Sequence, residues 1–391
     1  MIELFPFKWE IDDKLCGEGR QEIWAWSKLL DRRTVLMRIT DWPCRICIEL
    51  PGMARNGAER KWDRSNAQFI YEWLCEQLRD KQPYTYDCVY THKLFNYNNG
   101  LLFPFMQLDF RCSKHVDACQ KLLARSHKLP DGEVYGFPVH EAEFSDTLKF
   151  IAYNKLTLGQ WFFVPERKVN PSVRVSQYEY ELSVPYYEIK SSNRDEVPDF
   201  GVSAFDLEQF SHRWRTRTFP EASFVHDSLI SASINHRPPA PAKSIDGKES
   251  KATIAREVLT VGQRLLTPDT VLRASRNEAD FIADFFRRLN ELDPDFIIGF
   301  NTTGFDAPCI TIRRETICHQ TLPHMGRLRP DLHEAFPTIL GRIGSKNKAK
   351  QGKYWQMTGR IFFDLRLYAQ REFSNKFANF TLENVAQEFL K

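Results

Sequence analysis

The sequence predicts a mixed α/β protein with two domains: an α+β domain over residues 1–195 and an α/β domain over residues 196–391. Three observations lead to this prediction. A length of 391 residues, 42% of them hydrophobic and 27% charged, suits globular domains with real cores. Apolar runs of strand length alternate with runs of helical spacing. A polar segment over residues 191–198, which contains Pro198, separates the two halves.

The first half combines strand and helix patterns. Val35, Met37 and Ile39 fall on alternate positions of a run that residues 41–43 end, and this pattern predicts a strand. Helical spacing predicts helices over 67–79 and 141–153, and a strand pattern returns over 173–187.

The second half alternates buried strands with helices. A strand over residues 200–205 should end on Asp206. Ser275 and Glu278 have the spacing of a capping box, and the helix that follows should end near residue 293. The remaining predicted elements are strands over 296–300 and 359–365 and a helix over 381–390.

Composition narrows the class of protein. The net charge of +3 is too small to identify a nucleic-acid binder, although a local basic patch would be enough for one. Among nine cysteines, Cys44 and Cys47 form a single C-x-x-C without a second pair at zinc spacing, which favours reduced thiols in a strand. The N-terminus has no signal-peptide pattern, and no run approaches the ~20 apolar residues of a membrane span. We therefore expect an intracellular, soluble protein.

Three carboxylates stand at expected strand ends. Asp206 and Glu208 are two residues apart in an extended run, so both should point to the same side of the sheet. Asp306 follows the strand 296–300 and the loop that begins at Asn301. Carboxylate oxygens suit Mg²⁺ or Mn²⁺. Taken singly, the first pair also fits solvated strand ends, and Asp306 also fits a helix cap.

Two lysine-rich segments cover residues 236–251 and 344–353. They fit solvated surface loops, or a surface that contacts DNA phosphates.

Two segments carry a resemblance to a known family. Residues 197–208 (VPDFGVSAFDLE) resemble the first exonuclease motif of family B DNA polymerases, and residues 292–306 (LDPDFIIGFNTTGFD) resemble the second. The N-terminal part resembles delta-like polymerases, especially those of large DNA viruses. Further segments that resemble the family, in order, are 7–9, 35–39, 48–51, 149–161, 219–222, 227–230, 359–365 and 380–386. The resemblance thus covers nearly the whole chain.

The resemblance implies an N-terminal domain followed by an RNase H-like 3′→5′ proofreading exonuclease domain, with a mixed sheet flanked by helices. It also implies hydrolysis of a single-stranded primer 3′ end with two Mg²⁺ or Mn²⁺ ions. Asp206 would bridge the ions, Glu208 would hold one and orient the water, and Asp306 would hold the other. The residues expected to contact the substrate are Phe205, Leu207, Asn301 and Phe305. By its order in the family, Asp364 matches a structural position, and we do not expect it to be a ligand.

The sequence also departs from the family pattern. The third exonuclease motif, Y-x-x-x-D, does not occur before Lys391, and no pair of polymerase aspartates is found. We therefore expect this chain alone to be a poor exonuclease that does not extend primers. The remaining polymerase domains would lie on the same or a separate chain, with a sliding clamp or processivity factor as a further partner and no membrane. The expected location is the nucleus or a viral replication site.

Two other functions fit the sequence. One is a free-standing exonuclease of the DEDD type, with a different carboxylate as the fourth ligand. The other is a non-catalytic module for DNA binding or assembly that keeps the fold. Binding of two metal ions would favour an enzyme, and lack of binding would favour the module.

Overall fold

The computed structural model describes the chain except residues 13, 15–18, 54–58, 94–98, 214, 216–218, 240–252, 263–267, 344–351, 378 and 391. Most lysines of the two lysine-rich segments lie outside the described residues, so their predicted contact with DNA stays a prediction. The chain divides into two compact units. Unit 1 holds Met1–Lys28, Thr34–Pro171 and Tyr180–Glu196, and unit 2 holds Leu29–Arg33, Ser172–Glu179 and Val197–Lys391. The domain limits at residues 195 and 196 stay a prediction.

Unit 1 is an α+β unit. Its helices are Gln68–Leu78 (α1), Ser113–Leu123 (α2) and Asp146–Tyr153 (α3). Its strands are Ile2–Asp12 (β1), Glu22–Leu29 (β2), Thr34–Thr40 (β3), Cys44–Glu49 (β4), Thr85–Thr91 (β5), Phe103–Phe110 (β6), His127–Lys128 (β7), Val134–Tyr135 (β8), Val139–His140 (β9), Phe162–Val164 (β10), Glu181–Pro185 (β11) and Lys190–Ser191 (β12).

Two larger sheets organise unit 1. One has the order β11-β3-β2-β1-β10-β12, and the other has the order β5-β6-β4-β9. The second sheet shares a core with the apolar faces of α1 and α2. The predicted strand at Val35 to Ile39 is confirmed as β3. The strand predicted over 173–187 forms only in part. Strand β11 covers Glu181–Pro185, whereas residues 171–173 and 186–188 form 3-10 turns. Cys44 and Cys47 are free and buried in β4.

Unit 2 is an α/β unit. Its helices are Glu278–Leu292 (α4), Asp306–Cys318 (α5), Leu365–Glu372 (α6) and Leu382–Phe389 (α7). Its strands are Val202–Phe210 (β13), Ser228–Arg237 (β14), Ala255–Val261 (β15), Val271–Ser275 (β16), Phe296–Gly299 (β17), Ile339–Ile343 (β18), Gly352–Gln356 (β19) and Ile361–Asp364 (β20). No helix among the described residues of either unit is both long and apolar enough to cross a membrane.

The main sheet of unit 2 is mixed and has the order β16-β15-β14-β13-β17-β20. β13, β17 and β20 are parallel to one another, whereas β14 is antiparallel to β13. Helix α4 buries its apolar face against this sheet, as the helical spacing predicts. The predicted mixed α/β fold is therefore confirmed. Because three neighbouring strands are parallel, their carboxyl ends meet at one edge of the sheet.

A buried charge network fixes the opposite end of these strands. Arg327 has no exposed side-chain surface and donates to Asp293 at 3.0 Å and to Asp295 at 2.8 Å. Asp295 in turn accepts the backbone N–H of Gly201 at 2.8 Å. Paired buried charges hold their partners in one geometry, and removing one partner is costly. The network therefore holds the start of β13 against the segment that leads into β17.

Two local predictions in unit 2 were wrong. Helix α4 is capped by Asn277, whose side chain accepts the N–H of Asp280 at 2.8 Å. Ser275 is the last residue of β16 and donates to Asp284 instead, so the predicted capping box does not form. Strand β13 does not end at Asp206. It continues to Phe210, because β14 pairs with it along that length, with a register shift between Glu208 and Gln209.

Candidate active site

Strand β13 separates polar and apolar side chains on its two faces. Asp206 and Glu208 are exposed on one face, whereas Phe205 and Leu207 are buried. This follows from the two-residue period of a strand, because the buried face must match the core. The two carboxylates predicted to share a face do share one.

Phe205 and Leu207 differ in their surroundings. The ring of Phe205 stacks on Trp355, with centroids 5.5 Å apart, and contacts Phe285 edge-on. These contacts place Phe205 in the hydrophobic core, and its substrate contact stays a prediction that this packing does not support. Leu207 is also part of the core, but it borders the cavity described below.

The loop after β17 positions the second set of residues. Asn301 has a left-handed backbone, with φ of 64°, and the N–H groups of Gly304 and Phe305 bond to its carbonyl. A Cβ at Gly304 would lie 2.6 Å from Asn301 Oδ1, so a side chain there would displace the asparagine. The turn thus favours an asparagine, which tolerates positive φ, and a glycine that leaves room for the asparagine side chain.

Asp364, at the end of β20, holds this loop in place. Its carboxylate accepts the N–H of Asn301 at 3.0 Å and both the N–H and the hydroxyl of Thr303, at 2.9 and 2.6 Å. It also accepts the N–H groups of Arg366 and Leu367 and so caps α6. A carboxylate with this many donors stabilises the local structure of the loop and of α6.

Asp306 is the first residue of α5 and is only 2% exposed. The N–H of Leu207 donates to its Oδ1 at 3.0 Å, so β13 and α5 are joined at this carboxylate. Burial raises the pKa of Asp306 to about 7, and the charge of nearby Asp206 adds to the rise, although the bond from Leu207 opposes it. Although Asp206 as a whole is exposed, partial desolvation of its carboxyl group also raises its pKa. Asp306 is therefore not the simple helix cap that remained an alternative.

The three carboxylates line one open cavity of about 650 Å³. Its wall consists of residues from β13, from the loop after β17 and from the regions around α6 and α7. The lining residues are Asp206, Leu207, Glu208, Phe219, Phe300, Asn301, Gly304, Phe305, Asp306, Arg366, Phe380, Thr381 and Leu382. The predicted residues thus come together in space, except for Phe205.

The donor set fits divalent cations in its chemistry. Asp306 is buried near the carboxylate of Asp206. A bound cation would offset the cost of burying a charged carboxylate and would reduce the repulsion between the two carboxylates. Within the described residues, however, no group of three or more His, Cys, Asp or Glu side chains is close enough to hold a metal ion. Asp206, Glu208 and Asp306 therefore supply suitable oxygen ligands, but they do not form a compact metal cluster.

Sequence reasoning missed seven of the lining residues, namely Phe219, Phe300, Gly304, Arg366, Phe380, Thr381 and Leu382. Arg366 follows the end of β20, and Phe219, Phe300 and Phe380 lie in or beside loops near the same edge of the sheet. Arg366 joins the cavity because β13, β17 and β20 are parallel and their ends share an edge, an arrangement that is visible in the structure and not in the sequence. The three phenylalanines lie in segments that resemble the family, but sequence reasoning assigned no substrate contact to them.

One protein family matches the part of the chain that carries this site. The model for the exonuclease domain of DNA polymerase family B matches residues 137–385, well over half of the chain. The matched residues contain the mixed sheet and the carboxylates at the ends of its parallel strands. The chain belongs to DNA polymerase family B, in the region of its exonuclease domain.

Individual proteins with similar sequences are DNA polymerases as well. The chain is 24% identical over 299 residues to the DNA polymerase delta catalytic subunit of Oryza sativa subsp. japonica, covering 73% of this chain and 25% of that protein. It is 22% identical over 305 residues to a DNA polymerase of Acanthamoeba polyphaga mimivirus, covering 74% of this chain and 16% of that protein. The chain therefore spans a quarter or less of these relatives.

A solved structure shares the fold. The family B DNA polymerase from the hyperthermophilic archaeon Pyrobaculum calidifontis matches with a TM-score of 0.65 and 16% identity. The match covers 99% of this chain and 39% of that one. At this identity the likeness establishes the fold, and the roles of individual residues rest on the geometry of the cavity.

Proposed function

We propose that this chain is the N-terminal and proofreading portion of a replicative DNA polymerase, and that its cavity hydrolyses the 3′-terminal nucleotide of a single strand. The family and the fold support the domain type. The observation that carries the proposal for the site is the buried Asp306, held by the Leu207 N–H beside Asp206 in a cavity that Glu208 also lines.

The carboxylates would act as ligands for two divalent ions, Mg²⁺ or Mn²⁺. Asp206, near Asp306, would contact both ions, Glu208 would bind one from the same face of β13, and Asp306 would bind the other. When bound, the ions would supply activation of the attacking water and stabilisation of the leaving oxygen. The N–H of Leu207 would keep Asp306 oriented, because it already donates to one carboxylate oxygen.

The aromatic side chains of the wall would bind the bases. Phe305 and Phe219 contact each other edge-on with centroids 5.5 Å apart, and Phe219 is 71% exposed. An exposed ring at the mouth of a cavity presents a face for stacking, which every base accepts without sequence preference. Asn301 would contribute a polar contact beside them. This combination suits a frayed 3′ end, which is single-stranded whatever its sequence.

Nuclease assays on the full chain test the proposal. A 5′-labelled single strand with Mn²⁺ or Mg²⁺ should be shortened from its 3′ end, at a low rate for this chain alone. Asp206→Asn should reduce the rate about 100-fold or more, since the ions are worth several kcal/mol. The matched control is Asp117→Asn, on an exposed position of α2, which should leave the rate unchanged. Equal rates for wild type and Asp206→Asn would refute the site.

Metal titration separates the alternatives. Calorimetric binding of two ions, weakened by Glu208→Gln but not by Glu315→Gln at an exposed position of α5, would support an enzyme site. No binding would favour the non-catalytic module. Rapid cleavage would favour a free-standing exonuclease and contradict the expected weak activity.

Primer extension, the binding partners and the cellular location are further parts of the proposed function. Primer extension would require the region of the relatives that this chain does not span. The partners would be primer DNA, the remaining polymerase domains and a sliding clamp or processivity factor, in the nucleus or at a viral replication site.

A further inference from the structure

We infer that Arg366 is a phosphate-binding residue of the cavity, which grips a phosphodiester of the bound single strand with the Nε and NH2 side of its guanidinium. The inference rests on the proposed function and assigns to it a substrate contact that the motifs do not contain. Arg366 lies in the first turn of α6 and lines the same cavity as the three carboxylates.

The side-chain hydrogen bonds of Arg366 among the described residues use only one end of its guanidinium and leave Nε and NH2 without a partner. Its NH1 donates to Asn301 Oδ1 at 2.8 Å. Its Nε is buried and has no hydrogen-bond partner, and no bond from NH2 exists among the described residues. A buried donor without a partner costs free energy, so it marks either strain or a missing ligand. Because Nε is buried, the side chain has to move before Nε and NH2 can both contact a ligand in the cavity.

The charge of Arg366 is also unused. Within the described parts of the chain, no carboxylate lies within ion-pair distance of its guanidinium, although Asp206, Glu208 and Asp306 line the same wall. Those carboxylates are committed to cations in the proposed mechanism. Among the described residues that line the cavity, the guanidinium is therefore the cationic group that can neutralise substrate charge.

A phosphodiester can accept hydrogen bonds from Nε and NH2 of Arg366 at the same time. Two adjacent N–H groups of a guanidinium bind two oxygens of one phosphate in parallel, a geometry that lysine does not reproduce. The bond to Asn301 places this fork next to a residue of the second exonuclease motif. Binding of a phosphate by Arg366 would therefore align the strand with the carboxylates.

Binding measurements on the full chain test the inference. The affinity for a short 5′-fluorescent single strand is measured by anisotropy over a range of salt concentrations, in EDTA to prevent turnover and again with Ca²⁺. The variants are Arg366→Gln, Arg366→Lys and, as a matched control, Arg371→Gln, whose side chain on the same helix is 85% exposed. Circular dichroism and thermal unfolding confirm that each variant is folded.

We expect Arg366→Gln to bind about tenfold more weakly, which corresponds to about 1.4 kcal/mol. The slope of log affinity against log salt should fall in magnitude by about 0.7, the value for one phosphate contact with a single strand. Arg366→Lys should keep the slope and lose part of the affinity, and Arg371→Gln should match wild type. One methylphosphonate linkage, which removes a phosphate charge, should weaken wild type at a particular position and leave Arg366→Gln unaffected.

Three results would overturn the inference. Equal affinities for wild type and Arg366→Gln would show that the guanidinium does not contact the strand. Weaker binding with an unchanged salt slope in Arg366→Gln would show that Arg366 only supports Asn301. If wild type itself does not bind single strands, the proposed function fails together with the inference, and the first two results leave the proposed function standing.

Discussion

Replacing Asp306 by asparagine should stabilise the metal-free protein at alkaline pH. The carboxyl of Asp306 is buried next to Asp206, and its pKa is about 7 in the folded chain against an ordinary value of 3.8. Since the folded state holds the proton more tightly than the unfolded state, protonation favours folding. The contribution of the protonated Asp306 to the free energy of unfolding is greatest below about pH 4 and is lost as the pH rises through about 7. Asparagine is neutral at every pH and keeps an oxygen to accept the Leu207 N–H.

The size of the effect follows from the shift in pKa. At about 1.4 kcal/mol per pKa unit, a rise of about three units corresponds to about 4 kcal/mol at full ionisation. The cavity is open, and water that enters it weakens the repulsion. We therefore expect Asp306→Asn to raise the free energy of unfolding by about 2–4 kcal/mol near pH 8 and to change it little near pH 4.

Urea unfolding in EDTA measures this difference. Tryptophan fluorescence follows unfolding of the chain, and its signal includes Trp355, which packs against the buried face of β13 in unit 2. Asp117→Asn, at an exposed position, controls for the loss of one negative charge. Adding Mn²⁺ should reverse the order, because the ion stabilises wild type and not the variant. A variant that is less stable than wild type at pH 8 in EDTA would refute the reasoning, as would a gain that does not depend on pH.

Three further changes test other parts of unit 2. Arg327→Met removes the guanidinium that pairs with the buried Asp295 and should cost about 3–5 kcal/mol in urea unfolding; a loss below about 1 kcal/mol would contradict the proposed network. Gly304→Ala brings a methyl group against the side chain of Asn301, so cleavage and single-strand binding should fall while thermal stability changes little; unchanged cleavage would show that the asparagine is dispensable. Asn277→Ala removes the cap of α4 and should lower stability by about 1 kcal/mol, measured by urea unfolding; no change would indicate that another group caps the helix.

Much of the site could be predicted because it depends on local spacing. The two-residue period of a strand is enough to place Asp206 and Glu208 on one face. A carboxylate after the next parallel strand predicts Asp306 at the same edge. The same period also puts Phe205 on the opposite face, so its burial was available from the sequence as well, although the resemblance to the family suggested a substrate contact.

The remaining features depend on contacts that spacing does not reveal. The end of β13 is set by its pairing with β14, not by the polar residues where the strand was expected to stop. The choice of Asn277 over Ser275 as a cap depends on where β16 ends. Arg366 and Asp364 become meaningful only once β20 is placed beside β17, which requires the order of strands in the sheet.

The alternating faces of β13 tie the chemistry of this protein to its folding. Phe205 and Leu207 anchor the core from one side of the strand, and Asp206 and Glu208 supply the cavity from the other. Inserting or deleting one residue early in the strand would turn the carboxylates into the core and the apolar pair towards water. Mutations of that kind would disrupt the core before any change in the cavity could be observed. Substitutions on the exposed face of β13 can alter the cavity without this cost to the core.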